Sequence, residues 1–497
     1  MVKKGFIKVN FIGGIISPGV LKKILLAGKK GGVTQVSFGL RQQLIMETGV
    51  DNYYDLRETL HDLNLPFEEN EVNLPNIVSS YPAVEAFINK TWLSEGIYKD
   101  IFDLVDYTPR LKINISDSNQ SFTPLFTGNI NWVASSSVHF WHIFVRFPKT
   151  NSIYEWKQTV YTNDVVAVSK KLEEIIFKNP SLFVRNDAAN GDLLFKMLME
   201  TGHYNTQLSE TLVQPMEFRL PYYEGFNRYN NNYFWLGIYR RDEMFDVDFL
   251  LEICELCLQT KVGQLCSTPW KSLMIKGIGD KDRGLWDVIL AKYLINVRHA
   301  ANELNFQVED FSIDALALKQ YIVKHFSKDD IRTFAICFGI KTRTKSEIFS
   351  SILVKRRALF TLGQREFFFV YDILCAQDFN PNERTGYVFR KNILKMFLPL
   401  ELKKAAQEFY QFKAKSSEEI VFAPKKEKEA EETVVSFVYQ CPNCFSIYDP
   451  AFGDVENGVA AGTSFSGLPA AYCCSLCDTN KKDFNEIAKS TLGVQIS

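Results

Sequence analysis

The chain has 497 residues, a formal net charge of -1, 46% hydrophobic, 14% aromatic and 23% charged residues, with 40 Phe and 21 Tyr. Such a length exceeds one ordinary core, so two to four domains are expected. The near-neutral balance offers nucleic acid or an anionic membrane no bulk attraction, and no run approaches the roughly 18 apolar residues of a membrane span.

Taken from the start, Met1 to Lys4 is basic and is followed by a short apolar run broken by Asn10, Gly13 and Gly14. Without a small-residue cleavage pattern it reads as a first strand, Phe6 to Val9, and a cytoplasmic location is expected. Ser17-Pro18 is a helix start; Val20, Leu21, Ile24 and Leu25 mark one helical face, and Gly31-Gly32 ends it. Val33 to Phe38 reads as another strand. A second copy follows without gaps, residues 14–49 lying over 243–278, with Val20-Leu21 on Phe249-Leu250 and Val36 to Gln42 on Leu265 to Lys271. The pattern predicts a duplicated α+β half-domain.

Several constellations are weaker than they look. His139 and His142 share a strand-like run whose alternation sends them to opposite faces, so structural roles are expected. Cys254 and Cys257 form a C-x2-C on an amphipathic helical stretch with no second pair nearby, which reads as core. With six histidines in all, no Ser/His/Asp or H-E-x-x-H set exists; nor does a glycine-rich nucleotide loop stand at a strand–helix turn. Residues 413–433 carry alternating charges and one Pro, and read as a flexible or partly helical tether, which would hold whatever follows at a high effective concentration.

Half of the ten cysteines (441, 444, 473, 474 and 477) crowd into the end of the chain. In a protein without a secretion signal such a cluster reads as metal binding. Cys441-Pro-Asn-Cys444 and Cys474-Ser-Leu-Cys477 are two C-x2-C pairs able to aim four thiolates at one centre, and the sulfur set alone suits zinc or a single iron. Between them run Tyr448-Asp449-Pro450, Gly453-Asp454, Gly458, Gly462-Thr463-Ser-Phe465 and Leu468-Pro469, with Tyr472 two residues before Cys474 and Lys481, Lys482, Asp483 and Phe484 after Cys477.

This stretch resembles rubredoxin. The resemblance implies one mononuclear iron held by Cys441, Cys444, Cys474 and Cys477, a small core of Tyr439, Tyr448, Phe465, Tyr472 and Phe484, and one-electron transfer. Two family glycines are replaced, by Phe445 and Asp478, and Ser475 replaces the usual proline. The carboxylate of Asp478 is expected to lower the reduction potential, and Cys473 reads as a small apolar residue beside a ligand. Residues 437–490 hold six acids (Asp449, Asp454, Glu456, Asp478, Asp483, Glu486) against Lys481, Lys482 and Lys489, which suits a basic docking face or simply a solvated surface.

The body carries Gly13-Gly14, Leu40-Arg41-Gln42, Asn73-Leu-Pro-Asn76-Ile-Val-Ser79 and Pro109-Arg110-Leu-Lys112. Its second half carries Ser267 to Lys271, Lys276-Gly277-Ile278 and Ile331-Arg332-Thr333 through Cys337 to Gly339. In that order these resemble the sirohaem-dependent nitrite and sulfite reductases. The resemblance implies an α+β chain of duplicated ferredoxin-like half-domains with nitrite/sulfite-reductase-like α/β lobes, ahead of a small rubredoxin domain with a short β-sheet and metal knuckles. The expected division is 1–70 and 211–300 for the half-domains, 71–210 and 301–412 for the lobes, 413–433 for the linker and 434–490 for the rubredoxin domain.

In that family four cysteines hold a coupled [4Fe–4S] cluster and basic side chains grip the sirohaem. Here Arg343 and Phe379 stand where partners of Cys337 and Cys375 are needed, and Pro75 replaces an arginine. A [4Fe–4S] cluster is therefore not expected. Arg41, Arg110, Lys112 and Arg332 remain as a vestigial sirohaem set, with sirohaem itself not the expected group. The expected function is an electron carrier with no catalytic residue of its own. It would take electrons from a flavin- or NAD(P)H-dependent donor and pass them to a sirohaem reductase, for nitrite first and sulfite second. The alternatives are a sirohaem nitrite/sulfite reductase in which the rubredoxin iron replaces the cluster, and an iron that only staples the fold.

Overall fold

The computed structural model describes residues 4–488 except 50–53, 70–73, 89–90, 124–126, 152, 210–217, 219, 231, 344–347, 363–364, 384 and 423–436. Asn73, Lys489 and the 423–433 part of the expected tether lie outside the described residues. The first part of that tether continues the Leu398–Phe422 helix. The chain divides into two compact units, Met1–Ala414 and Lys415–Ser497.

The Pro18–Lys30 helix starts where the sequence places it, with Pro18 at its first position, Leu21, Ile24 and Leu25 buried and Lys29 and Lys30 in the last turn, where cations favour the helix dipole. The duplication is visible in register. Pro18 and Val247 each open the long helix, and Leu44 and Leu273 each open the closing strand. Gln42 and Lys271 occupy the same left-handed turn, with φ of 58° and 55°. In each turn the same bonds recur: Gly39 N donates to Gln43 O, and Thr268 N to Ser272 O.

The two halves exchange strands. The sheet of the first half runs Phe245–Asp246, Gln35–Phe38, Leu44–Gly49, Lys4–Val9, Phe67–Glu69, and its edge belongs to the second half. The sheet of the second half runs Gly225–Asn230, Tyr233–Ile238, Leu273–Gly279, Leu265–Ser267, Ile15–Ile16, and its edge comes from the first. Each exchanged strand leads into the helix of its own half, so the helices are drawn together over one core of Leu21, Ile24, Leu25, Phe249, Leu250, Ile253 and Cys257. Gln42 Nε2 donates to Ser267 O at 2.8 Å, and the Ser267 hydroxyl returns a bond to Gln42 O at 2.9 Å. Gly14 has φ of 79° and lies so close that a Cβ there would meet Ser267 O at 2.6 Å, so glycine is required.

A second repeat lies in the lobes. Val78–Ser79, Ile113–Ser116 and Ile130–Ala134 pair in parallel before Phe140–Arg146 turns antiparallel. Phe306–Val308, Phe338–Lys341 and Ile352–Leu362 do the same before Arg365–Ala376. The whole is an α+β fold of several small sheets. Among the described residues no helix is long and apolar enough to cross a membrane.

The C-terminal unit has a three-stranded antiparallel sheet in the order Ile447–Tyr448, Phe437–Gln440, Asn485–Ala488. Its core is Tyr448, Leu468 and Tyr472, with Tyr439, Val459, Phe465 and Phe484 packed against them. The Tyr439 and Phe465 rings stack at 3.9 Å between centroids.

Candidate metal centre

Each cysteine pair sits on a tight turn built from purely local bonds. Phe445 N donates to Cys441 O and Cys441 N to Ser446 O; Asp478 N donates to Cys474 O and Cys474 N to Thr479 O, all at 2.9 to 3.0 Å. The two turns are copies of one another. Closing them requires positive φ after the second cysteine, and Phe445 (60°) and Asp478 (57°) adopt it although neither is glycine. The family's glycines are thus replaced in residue type but not in backbone shape.

The four Sγ atoms of Cys441, Cys444, Cys474 and Cys477 lie within 4.8 Å of one another, the one such metal-ready set found among the described residues. Two of the separations are 3.5 Å (Cys441 to Cys477) and 3.4 Å (Cys444 to Cys474). A tetrahedron of thiolates with metal–sulfur bonds of about 2.3 Å has edges of about 3.8 Å, so the set fits one ion with little adjustment. Cys441 and Cys474 are buried; Cys444 and Cys477 are half-buried and form the outer edge, beside the exposed side chains of Phe445 and Leu476. Burial opposes ionisation of Cys441, but amide N–H groups of Cys444 and Asn443 and the Thr479 hydroxyl bring its thiol down to about 6. Cys474 is likewise lowered, by Ser446 and by the amides of Leu476 and Cys477, against its burial. Against its bonds from Ser446, Cys444 is displaced the other way, to about 11, by desolvation and its hydrogen bonds with Cys477 and Cys474, so the two inner sulfurs give up their protons first.

Residues 438–484 match the rubredoxin family model. The same region is 41% identical over 49 residues to Rubredoxin-2 of Chlorobaculum tepidum, covering 94% of that protein and 10% of this chain. Through this domain the chain belongs to the rubredoxin family. The domain is also 45% identical over 49 residues to the high molecular weight rubredoxin of Moorella thermoacetica. It is 43% identical over 47 residues to a rubredoxin in the uptake hydrogenase operon of Azotobacter chroococcum. The match spans 21% of the length of the Moorella protein and 65% of the Azotobacter one. The NirA protein of Mycobacterium tuberculosis shares the fold, with a TM-score of 0.60, 14% identity, and coverage of 82% of this chain and 81% of that one. A rubredoxin domain with its four cysteines supports iron binding and a redox role.

The body's expected basic set is spread over different surroundings. Arg41 is buried; its guanidinium donates to Asn76 O at 2.6 and 3.1 Å and to Ile113 O at 3.0 Å. Lys112 is the neighbour of that second carbonyl, and its own backbone pairs with Asn129. Arg110 lies 4.0 Å over the Phe177 ring, whereas Arg332 lies over Phe334 and Tyr410, the latter on the Leu398–Phe422 helix. Cys337 belongs to the core under the first lobe and Cys375 to that of the second; burial pushes both thiols up. Cys254 and Cys257 are buried in the Val247–Thr260 helix. His142 is buried in the Phe140–Arg146 strand, which lowers its tendency to charge. His139 does not share that strand: it stands before it at φ of 63°, its ring against Trp92 and Tyr161.

Two residues escaped sequence reasoning. Ser446 and Thr479 each bring a hydroxyl onto the cysteine sulfurs. The available signal was their shared place, two positions after the second cysteine of each pair.

Proposed function

We propose that this protein is a one-electron transfer protein whose rubredoxin iron delivers electrons to a sirohaem nitrite reductase, with sulfite reductase as the second acceptor class. Its donor would be a flavin- or NAD(P)H-dependent protein, in a cytoplasmic setting that keeps thiols reduced. The observation that carries this reading is the outer edge of the site. Two of the four cysteines, Cys444 and Cys477, are half-buried and adjoin the exposed apolar Phe445 and Leu476 in sequence, which gives an electron a short way out. Four thiolates hold ferric and ferrous iron in nearly the same geometry, so one electron moves with little rearrangement.

The body would serve as a docking subunit. Cys337 and Cys375 sit in separate cores, and Arg343 and Phe379 bring no thiolate to either, so a [4Fe–4S] donor set is two sulfurs short. Arg41 is engaged with carbonyls rather than held for a carboxylate ligand, which weakens the case for sirohaem. The second reading, an enzyme that binds sirohaem through Arg41, Arg110, Lys112 and Arg332, draws on the NirA likeness over most of the chain.

Protein made in its native host separates the two. Iron at one per chain, thiolate-to-iron charge-transfer bands and a reversible one-electron titration are expected. Stoichiometric sirohaem, with its red-region bands, would favour the enzyme instead, and a redox-silent or zinc-filled site would remove the carrier reading altogether.

A further inference from the structure

The Ser446 hydroxyl lies 3.0 Å from Cys474 Sγ and 3.2 Å from Cys444 Sγ. The Thr479 hydroxyl lies 3.1 Å from Cys477 Sγ. The Ser446 hydroxyl therefore touches one sulfur of its own turn and one of the other, the Thr479 hydroxyl touches one of its own, and between them they reach three of the four. Both side chains are half-buried. The equivalence follows from the matched turns, which put residue two after Cys444 and residue two after Cys477 in the same relation to the centre.

We propose that Ser446 and Thr479 are a matched pair of potential-setting residues, holding the iron couple of this domain at a more positive value than the same four cysteines would give alone. The proposal rests on the iron-carrier reading above. Its sign follows from charge. Four thiolates around ferric iron leave the centre with a single net negative charge, and around ferrous iron with twice that, much of it on sulfur. A hydroxyl hydrogen aimed at a sulfur is attracted more strongly by the more negative state. The reduced form is favoured, and the potential rises. The step itself is the uptake of one electron from a donor that is oxidised by one; no bond is broken and each hydroxyl keeps its proton. Asp478, exposed on the same turn, acts in the opposite direction, so the two effects are separable by substitution.

The test uses the full chain loaded with iron, with midpoint potentials read by spectroelectrochemical titration. Ser446→Ala and Thr479→Val should each shift the midpoint to a more negative value, and the double variant should shift it further than either. Ser446→Thr and Thr479→Ser keep the hydroxyl and should stay near the parent. Because each position is tested separately, one variant that loads poorly leaves the other decisive. Unchanged midpoints in variants with full iron content, or equal shifts in the hydroxyl-retaining variants, would overturn the proposal while leaving the carrier intact. A parent protein that takes up no redox-active iron overturns the carrier reading first, and this one with it.

Discussion

Phe445 and Asp478 share one left-handed backbone conformation at corresponding points of the two cysteine turns, with φ of 60° and 57°. Side-chain-bearing residues hold that shape at a cost of roughly 1–2 kcal/mol each, because Cβ crowds the neighbouring carbonyl. The turns accept the cost because the two closing bonds of each over-determine its shape.

Phe445→Gly and Asp478→Gly should therefore stabilise the loaded domain, by up to about 1 kcal/mol each once the greater freedom of an unfolded glycine is set against the relief. Thermal loss of the charge-transfer bands would report it. Phe445→Val should move the transition the other way, since a β-branched residue fits positive φ worst.

Metal loss should be felt structurally as well as spectroscopically. The buried core of the domain is small (Tyr448, Leu468 and Tyr472), and a core of that size seldom holds a fold without a staple. Cys441→Ser should lower iron content sharply and open residues 437–488 to proteolysis. An iron-free variant that resists protease as well as the parent would show that the aromatic packing suffices by itself.

In the body, Lys276 Nζ lies 2.6 Å from Glu95 Oε1 and is almost fully buried. Burial works against the Glu95 charge, but the Lys276 ammonium, with the Tyr81 and Gln264 bonds, outweighs it and holds the carboxyl at about 2. A carboxyl whose folded value is depressed stabilises the fold above its ordinary value of 4.5 and loses that contribution as pH falls towards 2. Glu95→Gln leaves the lysine buried without its counter-charge and should cost about 3–5 kcal/mol at pH 7. In urea unfolding the gap between parent and variant should narrow between pH 4.5 and 2, and a gap independent of pH would refute the assignment.

Arg41 gives a contrasting test of the body. Arg41→Met strands the carbonyls of Asn76 and Ile113 in a buried place, at about 1–3 kcal/mol each. Arg41→Lys should recover only part, because a point charge cannot replace the guanidinium fork. If Arg41 instead served a tetrapyrrole, both variants would keep their unfolding midpoints and lose pigment.

The local parts of this protein were legible in its residues. The four cysteines, the turn chemistry around them and the aromatic set of the small core all lie within short sequence reach. The bonds that form the cysteine turns close over only a few residues, and local spacing therefore specifies them. The duplication was legible too, because helix and strand periodicities repeat whether or not identities do. Tertiary structure alone decided the rest. The exchange of Ile15–Ile16 and Phe245–Asp246 between sheets leaves no local trace, since an edge strand reads the same whichever ladder it joins. Arg41, one of the basic residues picked out by motif, turned out to have its guanidinium occupied by carbonyls 35 and 72 positions away. Ser446 and Thr479 were ordinary polar residues on paper. Only folding the second turn against the first set the Ser446 hydroxyl beside a sulfur 28 positions further on, because a hydrogen bond depends on distance in space and not on separation along the chain.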